Sequence, residues 1–445
     1  MTVLVLPEPG LWRTGLPAPL LARGSAVVLC PESDRQAVEG LPGQPLVVTF
    51  EGGSLTPSRP DLAALAARLD LSGEVVLVRD ETLPRGWDAY VCALGLMGAK
   101  ALRLLGQSGE TPVTPPGRPD MVAVRSLLLV ACSGIGNVVQ TTPLLVAARR
   151  HGLDVAFCPV SDAGSSLALL FRTALPGLTV LTPEQAHGFE ADLRLNIECR
   201  ALLRPGDFFH SPYRDPVTRH EADAYAQFFA NVTGLSASPD ESAIGGHEAE
   251  PDVALRGRVV LCPGSKPGWD PKRWPHFGAL VRRLENPVVL CRQQDLDAYA
   301  TLDFLAPIQG GRATVITEAS LPEAAAILRH AAAVVANDCG LAHMAAATGA
   351  PTLVLFGPSS LDKNRPLGAT VRSLSLCLDC QPCQLATSGP GRLAPGDSRC
   401  DLGYPCLADM TVDMVLDELQ RCMETVKTPV SSSIPPIISE GTHDA

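Results

Sequence analysis

The chain alternates short apolar, β-branched runs with amphipathic segments of helical length, a pattern typical of parallel α/β sheets. In its second half, two of these runs end in small or polar residues and continue into a helix. They are Val259–Cys262, followed by Pro263-Gly264-Ser265, and Ala333–Asn337, followed by Asp338-Cys339-Gly340. Each junction places free helical N–H groups at the carboxyl edge of a sheet, where anionic ligands bind.

The same pattern divides the chain into three α/β units. Residues 1–118 hold strand-like runs at 3–6, 26–30, 46–50 and 75–78, and a loop rich in Pro and Gly (109–119) follows them. The second unit is predicted at 125–250 and the third at 256–427, which closes with one apolar stripe on a helix. Residues 428–445, rich in Ser and Pro, are expected to be a disordered tail.

Composition supports a globular protein of several domains. The chain has 445 residues, 46% hydrophobic and 19% charged, which is too long for one core and too apolar for general disorder. A net charge of −11 argues against nucleic-acid binding, which needs a concentrated basic surface. The first residues lack the basic region of a signal peptide, and no apolar run reaches the roughly 18–20 residues of a membrane span. We therefore expect a cytoplasmic location and mostly reduced cysteines.

Lys272 adds a mobile positive charge close to the first junction. With Gly264 and Ser265 it predicts a site for a diphosphate, although a solvated lysine at a helix start has the same local sequence. At the second junction Asp338 fits either a ligand site or a helix N-cap. His343 lies one turn into the following helix, where a structural histidine is the simpler alternative.

The second unit opens with a strand that breaks at Ser133-Gly134-Ile135-Gly136-Asn137. A tight turn explains both glycines without any ligand. A nicotinamide cofactor is disfavoured, because the complete G-x-G-x-x-G motif is absent and Asp154 opens the next strand instead of closing it.

Three motifs in order resemble glycosyltransferase family 9, the ADP-heptose:lipopolysaccharide heptosyltransferases. They are 133–137 with Thr141-Thr142-Pro143, 263–265 with 272–275, and 337–343, and the resemblance spans about residues 125–425. It implies an α/β GT-B fold of two Rossmann-like lobes, preceded here by the small extra unit. It also implies an inverting, metal-independent transfer of a heptose or related sugar from an ADP-sugar, with no cofactor needed for catalysis. The implied acceptor is a lipopolysaccharide-type glycan, another surface glycan or a lipid-linked acceptor, with peripheral association at the inner membrane face.

The resemblance also assigns roles to residues. It places Lys272 and Asp338 at the catalytic centre with Asn137, and Ser133, Gly134, Gly136 and Asn137 on the acceptor-side loop. The implied donor contacts are Gly264, Ser265, Lys272, Asp295, Asp338, Cys339, Gly340 and His343. Cys339 stands where the family usually has Ser or Thr.

Asn137 is the main departure, because the family typically carries an Asp base there and an amide cannot take a proton usefully. Three alternatives follow. Another carboxylate acts as the base, or the acceptor hydroxyl needs little assistance from a base, or the protein is a non-catalytic nucleotide-sugar binder. A protein acceptor of the autotransporter type is a further alternative. If the base was merely replaced, Asn137→Asp should raise the transfer rate.

Five cysteines between positions 377 and 406 form a cluster in a loop rich in Pro and Gly: Cys377, Cys380, Cys383, Cys400 and Cys406. Their spacing suits tetrahedral thiolate coordination. Related autotransporter heptosyltransferases hold a structural iron in this region, so the resemblance implies a structural zinc or iron here. The predicted ligands are Cys377, Cys380, Cys400 and Cys406, and reduced, metal-free cysteines are the alternative.

Overall fold

The fold is seen in a computed structural model that describes most of the chain. The described residues are 2–14, 17, 21, 26–41, 45–51, 54–78, 87–161, 164–246, 248–266, 268–299, 304–383, 400 and 402–427. Within these ranges no helix is both long enough and apolar enough to cross a membrane. The predicted disorder of residues 428–445 concerns a segment outside the described residues.

The first unit is built on a sheet with strand order β3-β2-β1-β4-β5-β6, parallel except for the final β5–β6 pair. Its strands are β1 (Thr2–Val5), β2 (Ala26–Pro31), β3 (Leu46–Phe50), β4 (Glu74–Val78), β5 (Leu102–Gly106) and β6 (Gly109–Val113). Its helices are α1 (Arg35–Glu39), α2 (Leu62–Ala66) and α3 (Trp87–Leu96). The first five residues of the predicted loop at 109–119 are therefore a strand, which forms a hairpin on the exposed sheet edge.

The second unit has a fully parallel sheet in the order β11-β10-β7-β8-β9. Its strands are β7 (Ser126–Cys132), β8 (Asp154–Val160), β9 (Thr179–Val180), β10 (Leu193–Ile197) and β11 (Phe208–His210). Its helices are α4 (Ile135–Arg150), α5 (Ser165–Phe171), α6 (Pro183–Gly188) and α7 (Glu221–Thr233). The apolar centre of β7 is buried between helices, as a parallel sheet covered on both faces requires.

The third unit has a parallel sheet in the order β14-β13-β12-β15-β16-β17. Its strands are β12 (Val259–Cys262), β13 (Val288–Leu290), β14 (Thr314–Ile316), β15 (Ala333–Asn337), β16 (Thr352–Phe356) and β17 (Val371–Ser375). Its helices are α8 (Phe277–Arg283), α9 (Gln293–Ala298), α10 (Leu305–Gln309), α11 (Leu321–Arg329), α12 (Gly340–Ala347), α13 (Leu361–Asn364), α14 (Pro405–Ala408) and α15 (Val412–Lys427). This strand order is that of the doubly wound nucleotide-binding fold. The predicted pair of Rossmann-like lobes behind an extra α/β unit is confirmed.

The first unit docks on the second through buried polar contacts. Ser58 Oγ donates a hydrogen bond of 2.6 Å to Asp215, and Asn231 Nδ2 on α7 donates bonds of 2.8 Å to the carbonyls of Pro57 and Arg59. Asp215 is almost fully buried. These bonds tie a loop of the first unit to the helix that begins at Glu221. The predicted domain boundaries themselves stay predictions.

The polar segment 236–251, which connects the second unit to the third, is partly packed against both lobes. Gly245 N donates to the carbonyl of Leu170 in the second unit at 2.6 Å, and Arg329 of the third unit donates to the carbonyl of Gly246 at 2.9 Å. A Cβ on Gly245 would come within 2.4 Å of the Leu170 carbonyl oxygen, so a side chain has no room there. The connection therefore helps to fix how the two lobes face each other.

Candidate functional site

A cavity of about 430 Å³ lies between the second and third units, where the carboxyl ends of β7, β12 and β15 face each other. Its described lining includes nearly all of the predicted site residues outside the cysteine loop: Gly134, Gly136, Asn137, Gly264, Ser265, Lys272, Asp295, Asp338, Cys339, Gly340 and His343. Ser133 lies outside this lining, because its N–H donates to the Val160 carbonyl and its hydroxyl lies 3.5 Å from that of Tyr213. The fold thus brings the three motifs together.

Lys272 and Asp338 form a buried ion pair at the donor side of the cavity. Lys272 lies in a 3-10 turn (Asp270–Lys272), and its Nζ is 2.6 Å from Asp338 Oδ2. Burial disfavours ionisation of Asp338, but the Lys272 ammonium outweighs burial and holds the pKa of this carboxyl below its usual 3.8. The pair therefore stays ionised and fixes the ammonium at the cavity wall.

The N-cap alternative for Asp338 is wrong. The residue at the N-cap of α12 is Cys339, in extended conformation and without a side-chain cap, while Asp338 is turned to Lys272. Cys339 makes no side-chain cap hydrogen bond, and the first turn of α12, with Gly340, Leu341 and His343, lines the cavity. Lys272 and this helix end together supply the positive potential that suits an anion.

Asp295 lies beneath the loop that carries Gly264. Its Oδ1 accepts from Arg273 Nη2 at 2.9 Å and its Oδ2 from Arg292 Nε at 3.2 Å, so both oxygens already have a cationic donor. A Cβ on Gly264 would come within 2.8 Å of Asp295 Oδ2, which explains the glycine by close approach. Asp295 lines the cavity, and its predicted contact with the sugar-nucleotide donor stays a prediction.

His343 and two glycines form the contact between the lobes at the mouth of the cleft. A Cβ on Gly136 would come within 2.5 Å of His343 Cδ2, and a Cβ on Gly340 within 2.8 Å of Ile135 Cβ. The first turns of α4 and α12 therefore touch across the cavity. Burial lowers the pKa of His343 from 6.5 to about 4, so the imidazole is neutral at neutral pH.

Glu221 is a cavity residue that the sequence did not reveal. It is the first residue of α7, and Asn137 Nδ2 donates a short hydrogen bond to its Oε2. Tyr225 donates its hydroxyl to the same oxygen at 3.3 Å. An acidic residue in the first turn of a helix is common for local reasons, so position alone gives no functional signal. The signal in the sequence that could have pointed to Glu221 was the absence of a carboxylate at position 137, which implies that another carboxylate acts as the base.

Asn337 is a second buried residue, and although it belongs to the motif 337–343, no role was predicted for it. Its Oδ1 accepts from the Trp274 N–H at 3.1 Å, and its Nδ2 donates to the Pro263 carbonyl at 2.6 Å. The side chain thereby ties the end of β15 to the loop before Gly264 and to the segment after Lys272. It holds the two donor-side motifs in register.

We expect Asn337→Ala to lower the free energy of unfolding by about 2–4 kcal/mol, because the buried Trp274 N–H and Pro263 carbonyl each lose a partner. Chemical denaturation with a fluorescence readout measures this loss. Gln420→Ala, which removes an exposed amide that bonds to Glu424 on the same helix, serves as the matched control. Equal stability of the Asn337 variant and the control would contradict the role of Asn337.

The structure describes all five cysteines of the predicted cluster, and residues 384–399 between them lie outside the described residues. Cys377 is exposed, two residues after the end of β17, and its Sγ lies 3.7 Å from the Ser375 carbonyl oxygen. Burial, followed by smaller contributions from Cys383, Cys380 and Cys400, raises the pKa of Cys406 from 9.0 to about 11. The cysteines whose charges act on Cys406 are thus Cys383, Cys380 and Cys400, and Cys377 is not among them. In the described part of the chain, no three His, Cys, Asp or Glu side chains are arranged to hold a metal.

Comparison with known proteins agrees with the resemblance seen in the motifs. Residues 204–391 match the sequence profile of Glycosyltransferase family 9 (heptosyltransferase). Over 177 residues the chain is 31% identical to Lipopolysaccharide heptosyltransferase 2 of Escherichia coli (strain K12), which covers 38% of this chain and 47% of that protein. The chain thus spans about half the length of the curated relatives it matches.

Two solved structures share the fold. The glycosyl transferase family 9 protein from Veillonella parvula DSM 2008 has a TM-score of 0.51 at 16% identity, over 69% of this chain and 99% of that one. The iron-containing dodecameric glycosyltransferase TibC from enterotoxigenic E. coli H10407 has a TM-score of 0.50 at 13% identity, over 72% and 84%. The family 9 resemblance is confirmed over residues 204–391, and the predicted GT-B fold is confirmed.

Proposed function

We propose that this protein is a glycosyltransferase that moves a heptose or related sugar from an ADP-sugar to a lipopolysaccharide-type glycan. The observation that carries the proposal is the Lys272–Asp338 pair beside the free end of α12, facing the second unit across one cavity. Heptose and lipopolysaccharide come from the name of the E. coli relative, and ADP from the motif resemblance. We keep the expected cytoplasmic location, at the inner membrane face, as part of this proposal.

The geometry suits an inverting transfer. The diphosphate lies against Lys272 and the start of α12, which stabilise the charge that develops on the leaving group. The acceptor enters from the second unit, so its oxygen approaches the anomeric carbon from the side opposite the leaving group. Lys272 and the helical amides supply the positive charge that a divalent ion supplies elsewhere, so the proposed mechanism is metal-independent.

A second candidate is a nucleotide-sugar-binding protein without turnover, favoured by Asn137 at the position of the family's base. ADP release from ADP-heptose, with and without lipopolysaccharide core fragments or a candidate protein acceptor, separates the two functions. Thermal shifts with ADP and adenosine report binding alone, because a ligand that binds the folded state raises the apparent stability. Binding of ADP without any release of ADP from the donor would favour the second candidate. Equal shifts with adenosine and ADP would contradict the diphosphate site.

For the cysteine loop we propose a structural zinc or iron, with Cys383 replacing Cys377 in the predicted set. The support is that the charges of Cys383, Cys380 and Cys400 act on Cys406 and that Cys383 Sγ lies 3.5 Å from the Cys380 carbonyl. We expect about one metal per chain in anaerobically purified protein, retained in Cys377→Ser and lost in Cys383→Ser. Elemental analysis of the two variants is the measurement. Equal metal content in both would contradict the revised set.

A further inference from the structure

The described residues place three carboxylates on the cavity wall: Glu221, Asp295 and Asp338. The two from the third unit are committed to cations, since Asp338 pairs with Lys272 at 2.6 Å and Asp295 with Arg273 at 2.9 Å. Glu221, on the acceptor side, accepts hydrogen bonds from two neutral groups, Asn137 and Tyr225. Glu221 is thus hydrogen-bonded by neutral donors, whereas Asp295 and Asp338 are each paired with a cation.

The surroundings of Glu221 favour proton uptake. Burial raises the pKa of its carboxyl above the usual 4.5, and the nearby Asp215 raises it further. Lys363 and the bonds from Asn137 and Tyr225 limit the rise. The Lys363 ammonium donates hydrogen bonds to the carbonyls of Pro212 at 2.7 Å and Asp215 at 3.2 Å. The pKa of Asp338 is shifted in the opposite direction, below its usual value. Two carboxyl groups whose pKa values are moved apart in this way are typical of acid and base roles in one active site.

We propose that Glu221 is the catalytic base that takes the proton of the acceptor hydroxyl, and that Asn137 positions its carboxylate. The inference rests on the transfer proposed above. The acceptor oxygen bonds to the anomeric carbon as the bond from that carbon to the diphosphate oxygen breaks. The hydroxyl proton passes to Glu221, and the electron pair leaves with the nucleoside diphosphate toward Lys272. Glu221 then returns the proton to solvent.

This assignment reverses the expectation for Asn137→Asp. An aspartate at 137 would lie within hydrogen-bond distance of Glu221, and two buried carboxylates that close share one proton. The variant therefore does not supply a free second base. We expect it to lower the rate at neutral pH and to move the rising limb of the pH–rate profile to higher pH.

The experiment measures ADP release from ADP-heptose in the presence of lipopolysaccharide core fragments, across pH, for wild type and Glu221→Gln. We expect kcat to fall by about 10²–10⁴-fold, the range for a positioned general base. The thermal shift caused by ADP should be unchanged. The wild-type rate should rise with pH through one ionisation, because the base must be deprotonated, and the residual rate of Glu221→Gln should lack that limb.

Two further variants separate chemistry from folding. Glu221→Asp should keep the pH limb at a reduced rate, and Glu241→Gln, an exposed glutamate of the same unit paired with Arg150, should match wild type. An active wild type with an equally active Glu221→Gln and the same pH limb would overturn the role of Glu221 alone. A wild type that binds ADP but releases none from the donor would overturn the transferase itself.

Discussion

Lys272→Ala is expected to weaken ADP binding by about 1–3 kcal/mol, roughly 5- to 150-fold, the range for losing a charge-assisted hydrogen bond. The change removes the ammonium at the cavity wall and leaves Asp338 buried without its cation. The diphosphate would then face an uncompensated carboxylate. Affinity for adenosine, which carries no phosphate, should change little. Isothermal titration with both ligands measures the contrast.

Two controls sharpen this result. Lys100→Ala removes the same charge from an exposed site in the first unit and should leave ADP affinity unchanged. Lys272→Ala combined with Asp338→Asn should recover part of the affinity, because the buried negative charge is also gone. Equal loss of ADP and adenosine binding in Lys272→Ala would show that the variant disturbs the whole lobe instead of a diphosphate site.

Gly136→Val is expected to lower the rate of transfer by about 10²-fold, the loss that a misplacement of about 1 Å can cause. A Cβ at this position would meet His343 Cδ2 at 2.5 Å, so either the His343 side chain or the first turns of α4 and α12 must shift. Each lobe keeps its own core, and ADP should still bind to the third unit. Steady-state ADP release and ADP titration measure the two effects separately.

Gly188→Val is the matched control, since a Cβ on Gly188 meets no atom within 4 Å. Adding His343→Ala to Gly136→Val makes room for the new side chain and should restore lobe contact. The double variant should therefore be faster than Gly136→Val if His343 acts mainly as the spacer. A Gly136→Val enzyme as fast as wild type would contradict the fixed contact between the lobes.

Central strands were predictable from the sequence because both of their faces are buried. Ala333–Asn337 is an apolar run that ends in Asn337, it lies in the middle of the third unit's sheet, and it was predicted with its observed bounds. Four of the five missed strands are the last strand of a sheet, and the fifth, Leu102–Gly106, pairs with one of these four. The missed strands were Leu102–Gly106, Gly109–Val113, Phe208–His210, Thr314–Ile316 and Val371–Ser375.

The donor side of the site could be read from the sequence because each of its motifs ends a strand. Parallel strands end at the same edge, so local signals at Gly264 and Asp338 predict one place. The acceptor side depends on a contact between Asn137 and Glu221, which lie 84 positions apart. No local pattern encodes that distance. Cys383 was set aside for the same reason, because only the fold decides which cysteine neighbours Cys406.

Mutations outside the cavity are also expected to abolish the activity. The reason is the set of bonds from Ser58 to Asp215 and from Asn231 to the carbonyls of Pro57 and Arg59. They attach the first unit to the helix that begins at Glu221 and to the segment 212–215, whose carbonyls accept hydrogen bonds from Lys363. In a selection for loss of activity, missense mutations in codons 54–59 should therefore be recovered alongside those in codons for the cavity. An allele that starts translation after residue 118 would act as a null allele, because its product lacks this support.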